Sequence, residues 1–175
     1  MKSLIKLIQS DNEHWKVELG KSRISFFLLF LLLREYRIVV LFRIVQYLRK
    51  NRIFVILYFF MRFLYRCYTL KNGCEIPSST KIGGGLVIHH CNGIVINSES
   101  KIGNNLVIRS GCVIGNECGC PEIGDNVVMG GHSVVIGNIK IRDNCVIGAG
   151  AVVTKSTEPN GVYAGVPAKR IKDRV

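Results

Sequence analysis

Isoleucine, valine or methionine returns every sixth residue through most of the second half of the chain. The anchors are Ile76, Ile82 and Ile88, then Ile96, Ile102, Ile108 and Ile114, then Ile123, Met129, Val135, Ile141, Ile147 and Val153. Glycine or another small or polar residue follows many of them, as in Ile82-Gly83, Ile102-Gly103, Ile114-Gly115 and Ile147-Gly148. A six-residue period predicts a parallel β-helix, each unit being one short strand and a corner. A single apolar side chain per unit is buried only when coils stack above and below it, so the units are stable only together. The period breaks twice. From Ile88 to Ile96 the step is eight residues, the extra ones falling just after His89 and His90, and from Ile114 to Ile123 it is nine, which predicts a loop within 116–122. Solenoids take insertions at their corners, often on a binding face, so both breaks mark candidate site regions.

The first part of the chain has another pattern. Its richest apolar runs are Ile24 to Leu33, Ile38 to Phe42 and Ile53 to Met61, cut by Arg34, Arg37, Arg43, Arg49, Arg52, Arg62 and Arg66. A membrane-spanning helix needs ~20 mostly apolar residues, and these runs are too short. Arginines follow them where a secretory signal would have a small-residue cleavage site. Apolar helices edged by arginine suit a bilayer surface, where the cations meet anionic lipid. The alternative is packing against one another or a neighbouring subunit.

Charge supports a boundary at the same place. Residues 1–73 carry net +10 of the total +12, and residues 74–175 carry +2. We therefore expect an N-terminal basic, apolar helical segment over 1–73 and a β-helix domain over 74–175. Aliphatic runs separate the arginines, leaving no polar basic face to track a phosphate backbone, so nucleic acid is not an expected partner. Seven cysteines without paired Cys-x-x-Cys spacing argue against a disulfide framework or a zinc site, and Cys112 and Cys145 share one hexapeptide position that favours small residues. A reducing, cytoplasmic compartment is expected.

The stretch from Glu75 to Arg170 resembles the left-handed β-helix, hexapeptide-repeat acyltransferases of the serine acetyltransferase branch. The resemblance rests on Glu75-Ile76, Lys81-Ile82-Gly83, His90-x-x-Gly93-Ile94-Val95, Ile147-Gly148-Ala149-Gly150-Ala151-Val152-Val153 and Ala164-Gly165-Val166-Pro167-Ala168. Within that branch the chain looks most like colanic-acid and capsular polysaccharide O-acetyltransferases, through Ile88-His89-His90, Ile108-Arg109-x-Gly111-x-x-Ile114-Gly115-Asn116 and Cys120-Pro121. The resemblance implies a mainly β, left-handed, homotrimeric solenoid that uses acetyl-CoA and no metal.

It also implies roles. His90 matches the family's catalytic histidine, a residue type whose neutral form is abundant near pH 7 and which can return a proton to the leaving thiolate. Glu75 stands fifteen residues earlier, where the family has the carboxylate that orients the base. His89 replaces an aspartate that contacts the amino-acid acceptor in serine acetyltransferases, which argues against serine. His89, Asn92 and Arg109 are candidate acceptor contacts. Gly115, Gly131, Ala149, Thr154, Lys155 and Lys169 are candidate acetyl-CoA contacts, with Gly115 a backbone donor to the oxyanion. His132 reads equally as a surface histidine or a cofactor contact. Cys120 is not expected to be a nucleophile, since Glu117 and Glu122 would raise its pKa. The expected function is O-acetylation of a sugar hydroxyl in a capsular or exopolysaccharide precursor, at the inner face of the cell membrane. Serine O-acetylation is the alternative enzyme, and a trimeric scaffold the alternative without catalysis.

Overall fold

The computed structural model describes residues 2–51 and 54–174, so Arg52 and Ile53 at the start of the third apolar run lie outside the described residues. Four helices come first, α1 (Lys2–Glu18), α2 (Phe26–Leu32), α3 (Arg34–Lys50) and α4 (Val55–Lys71). The first coil of a β-solenoid begins at Cys74-Glu75, where Glu75 bridges to Val95 in parallel. Three stacks of short strands form the walls. The first holds β1 (Lys81–Ile82), β4 (Lys101–Ile102), β7 (Glu122–Ile123) and β10 (Lys140–Ile141). The second holds β2 (Val87–His89), β5 (Val107–Arg109), β8 (Val128–Met129), β11 (Val146–Ile147), β13 (Gly161–Ala164) and β14 (Lys169–Asp173). The third holds β3 (Val95–Ile96), β6 (Val113–Gly115), β9 (Val134–Ile136) and β12 (Val152–Val153).

The register follows the period. Ile82, Ile102, Ile123 and Ile141 lie over one another in the first wall. Ile88, Ile108, Met129, Ile147 and Tyr163 do so in the second, and Ile96, Ile114, Val135 and Val153 in the third. All thirteen anchors are buried, each closing the hole left by the anchor one coil away. Burying one such side chain contributes about 1.5–3 kcal/mol, so the stack as a whole outweighs strands too short to be stable alone.

Asparagines build one edge. Asn105, Asn126, Asn144 and Asn160 adopt left-handed backbone with φ of 58°, 56°, 58° and 57°, which Asn tolerates better than most residues. Their amides form a ladder, each Nδ2 donating to the next Oδ1 at 2.9, 3.0 and 2.9 Å. At the top, β13 and β14 pair antiparallel and end the parallel stack.

The lowest coil has no strand beneath it, and the helices close that end. Ile38, Val39, Phe42 and Val45 of α3 are buried in one core with Ile76, Ile82, Leu86 and Ile88. Arg43, 1% exposed, donates from Nε and Nη2 to Asp11 at 2.8 and 3.0 Å, from Nη1 to Ile82 O at 2.8 Å, and to Gly83 O. Asp11 also accepts from Leu86 N at 2.8 Å. Trp15 Nε1, Gln46 Nε2 and Tyr65 Oη donate to Leu86 O, Thr80 O and Ile76 O at 3.0, 2.8 and 2.6 Å. A second cluster joins Trp15, Leu29, Tyr36 and Val40 to Val87 and Val107 on the outer face of the second wall. Part of the helical segment is thus packed internally, as the alternative to a membrane surface expected. Large apolar side chains of α2 and α4 remain exposed, among them Phe27 at 69%, Ile56 at 87% and Phe63 at 66%.

Arg43→Ala would leave Asp11 buried without its counter-ion and two carbonyls without donors. We expect a loss of about 3–5 kcal/mol, read by urea unfolding at fixed protein concentration; a loss below about 1 kcal/mol, the range of an exposed pair, would show that the pair does not hold the coil.

Candidate active site

The eight-residue break forms the corner between the second and third walls. After β2 the chain turns through His90, which is exposed and left-handed with φ of 55°, and then through Gly93 with φ of 73°. His90 therefore lies just past the strand, and the turn sets its direction. Gly93 N donates to Gly73 O at 2.7 Å, so the corner lies over the junction two residues before Glu75. Glu75 is exposed at the start of the same coil, beneath Val95. Among the described residues no hydrogen bond joins Glu75 to His90. Glu75 lines a cleft between α4 and the first coil, opposite Arg62 and Arg66.

His89 faces the other way. Its Nε2 is 3.3 Å from Glu18 Oε2, its ring centroid is 6.0 Å from that of Trp15, and it is half-buried under α1. The helices hold this side chain, a contact that sequence pattern could not supply because Glu18 is 71 residues away.

The same corner runs up the solenoid. Gly111 N donates to Asn92 O at 2.9 Å, His132 N to Ser110 O at 2.8 Å, and Gly150 N to Gly131 O at 2.9 Å. Asn92, Gly131 and Ala149 are therefore brought to one edge at successive heights, and Arg109 precedes the same turn at the end of β5. At about 4.8 Å per coil, three steps separate the His90 corner from that of Ala149 by roughly 14 Å. The tail returns to this edge, since Val152 N donates to Gly165 O at 3.0 Å and Ala168 N to Val152 O at 2.8 Å. Gly115 ends β6, exposed Thr154 and Lys155 follow β12, and exposed Lys169 begins β14. The edge is an extended track with His90 low and Lys169 high, whereas Gly115, Thr154 and Lys155 lie at the far end of the third wall. His132 is exposed, with φ of 58°, and its ring lies over Gly111, where a Cβ would strike Nδ1. That contact gives the ring a packing role.

The second break is a loop from Asn116 to Pro121, held by Gly119 N donating to Asn116 Oδ1 at 3.1 Å. All seven cysteines are free. Cys120 Sγ donates to Asn97 Oδ1 at 3.3 Å and Glu99 Oε2 at 3.5 Å, and desolvation with the Glu99 contact pushes its pKa up. The direction is the one expected, but the carboxylate responsible is Glu99. Glu122 is engaged elsewhere, pairing with Lys101 at 2.7 Å and Lys140 at 3.0 Å, which lower its pKa to about 2.

A family model described as "Bacterial transferase hexapeptide (six repeats)" matches residues 121–155. The chain is 41% identical over 101 residues to the "Putative colanic acid biosynthesis acetyltransferase WcaB" of Escherichia coli K12, a match covering 55% of this chain and 62% of that protein's length. It is 33% identical over 139 residues to the serine acetyltransferase of Helicobacter pylori J99, covering 76% of this chain and 79% of the relative. A serine acetyltransferase solved in complex with CoA superposes with a TM-score of 0.82 at 26% identity, covering 97% of this chain and 70% of that one.

A thiol with a raised pKa is mostly protonated near neutrality, and only the thiolate is nucleophilic. In a Cys67→Ser/Cys118→Ser background, Cys120 should be alkylated by iodoacetamide more slowly than free cysteine at pH 7.5, the gap closing as pH rises. Faster alkylation would show an activated thiol.

Proposed function

The chain belongs to the hexapeptide-repeat acyltransferases, in the branch that contains the serine acetyltransferases, and on that premise we propose that it moves an acetyl group from acetyl-CoA to a sugar hydroxyl of a capsular or exopolysaccharide or its precursor. The observation that carries the proposal is the exposed His90 at the foot of an edge on which Gly131 and Ala149 stand at higher coils. His90 takes the proton of the acceptor hydroxyl as that oxygen attacks the thioester carbonyl carbon. The Gly115 backbone donates to the resulting oxyanion. When the tetrahedral centre collapses the C–S bond breaks, and the imidazolium of His90 returns its proton to the thiolate of CoA. Glu75, at the start of the same coil, fixes the histidine tautomer. Lys155 and Lys169 meet the nucleotide phosphates at the other end, while Gly131, Ala149 and Thr154 flank the pantetheine arm.

Asn92 and Arg109, at neighbouring heights of the same edge, are the proposed acceptor contacts, and His89 shapes that region from its seat against Glu18. A sugar acceptor is supported by the likeness to WcaB and by the histidine at position 89. Serine is the second reading. It is favoured by the match over 79% of the Helicobacter pylori serine acetyltransferase, and by Glu18, whose carboxylate beside His89 offers a partner to an ammonium group.

We propose a homotrimer with sites between subunits, docked peripherally on the inner face of the cell membrane. The docking surface would be the exposed apolar faces of α2 and α4, with their flanking arginines. No helix among the described residues is long and apolar enough to cross a membrane.

Release of CoA thiol from acetyl-CoA should require a de-acetylated polysaccharide or its precursor, and His90→Ala should lower turnover by roughly 10²–10⁴-fold. Glu75→Gln should lower it less. Turnover on L-serine alone would move the acceptor to the second reading. The protein should float with phosphatidylglycerol-containing vesicles, and Ile56→Ser/Phe63→Ser should abolish flotation; undiminished flotation would remove α4 from the surface.

A further inference from the structure

A cleft of about 310 Å³ lies between α4 and the first coil. Its helical wall follows from spacing. Tyr58, Arg62 and Arg66 recur every fourth residue and so form a row on one face of α4. Arg62 Nη1 donates to Tyr58 Oη at 3.0 Å, and its guanidinium lies 6.0 Å from the Tyr58 ring centroid. Arg49, in the last turn of α3, adds a third guanidinium. The solenoid wall contributes Glu75 and the hydroxyl residues Ser78 and Ser79, and Tyr65, hydrogen-bonded to Ile76 O, forms part of the floor.

Among the described residues, none of the three arginines forms an ion pair within 4.0 Å. Three cations and one carboxylate therefore share a concave surface with net +2. The dipole of α3 accounts for a cation at Arg49, but not for two more facing it. Guanidinium groups fit phosphate oxygens bidentately, and three of them offer more donors than a carboxylate can accept. By volume the cleft equals about ten waters, more than one phosphate fills.

We propose that this cleft binds the phosphoryl or pyrophosphoryl group of a phosphate-borne acceptor, holding its sugar toward Glu75. The proposal deepens the function above and rests on it for the place of the acceptor. The cleft is at the lowest coil, whereas Lys155 and Lys169 lie at the highest, so it is separate from the proposed seat of the CoA phosphates. The outer face of α4 carries exposed Ile56, Phe59, Phe60 and Phe63, so the same helix presents guanidinium to the cleft and apolar surface outward. That is the pair of surfaces a lipid-borne phosphate would meet.

The test is calorimetric titration of the full-length protein with inorganic pyrophosphate, at saturating CoA to fill the other phosphate site. Binding is expected, and Arg62→Gln/Arg66→Gln should weaken it roughly tenfold or more, as loss of charge-assisted hydrogen bonds implies. Arg66→Lys, which keeps the charge but not the fork, should weaken it less. Lys172→Gln/Arg174→Gln, the same charge change on β14 and the residue after it, should leave it unaltered. No binding, or equal weakening in both double variants, overturns the proposal. Phosphatidylcholine vesicles with and without farnesyl diphosphate separate the sources. Displacement of pyrophosphate only by the loaded vesicles assigns a lipid carrier, and displacement by neither assigns a soluble phosphate, either result requiring the pyrophosphate site. The titration involves no turnover, so its failure leaves acetyl transfer standing, and failure of acetyl transfer leaves the cleft standing.

Discussion

Each coil of this solenoid satisfies the backbone of the next, but the first coil has no neighbour below it. The buried Arg43–Asp11 pair resolves that constraint. Arg43 donates to two carbonyls of the first coil and both oxygens of Asp11, while Asp11 accepts the Leu86 amide as well. Two charges removed from water are tolerable only when their remaining donors and acceptors are met, and here both ions spend their capacity on one another and on the strand edge. Around them Phe42, Val45 and Tyr65 seal the apolar mouth of the prism, making one core from α3 to Tyr163 at the far end.

That closure also locates the chemistry. The His90 corner stands directly over the junction between α4 and the first coil, so the helices that seal the solenoid form the floor beneath the candidate base. Their side chains divide by direction. Arg43 turns inward and is structural, Glu18 and Trp15 hold His89, and Arg62 and Arg66 face the cleft beside Glu75. Composition treats these arginines alike, yet the fold gives them separate work.

The upper coils carry little of that complexity. From Ile123 to Ile147 the repeat is unbroken, and the corners are stabilised by asparagine ladders and left-handed turns. Regularity there keeps the backbone groups of the track at fixed heights, which a long thioester carrier would require. Both breaks in the six-residue period fall in the lower coils, beside the proposed acceptor contacts.

The solenoid, its register, all thirteen core anchors and both breaks were determined by the sequence alone. A period of one buried residue in six has a single way to stack, and each extra residue has to leave the wall at a corner. The candidate base was named by the resemblance to the family's catalytic histidine, and the break marked only the region in which it lies. Helix partners were not legible, because Asp11 meets Arg43 across 32 residues and Glu18 meets His89 across 71 with no periodicity to announce either pair. Only the tertiary structure decided that Glu99 and not Glu117 or Glu122 faces Cys120, that a left-handed turn aims His90, and that three arginines meet in one cleft. Those outcomes depend on which surfaces come together when the open end of the solenoid is closed, a choice made by long-range packing.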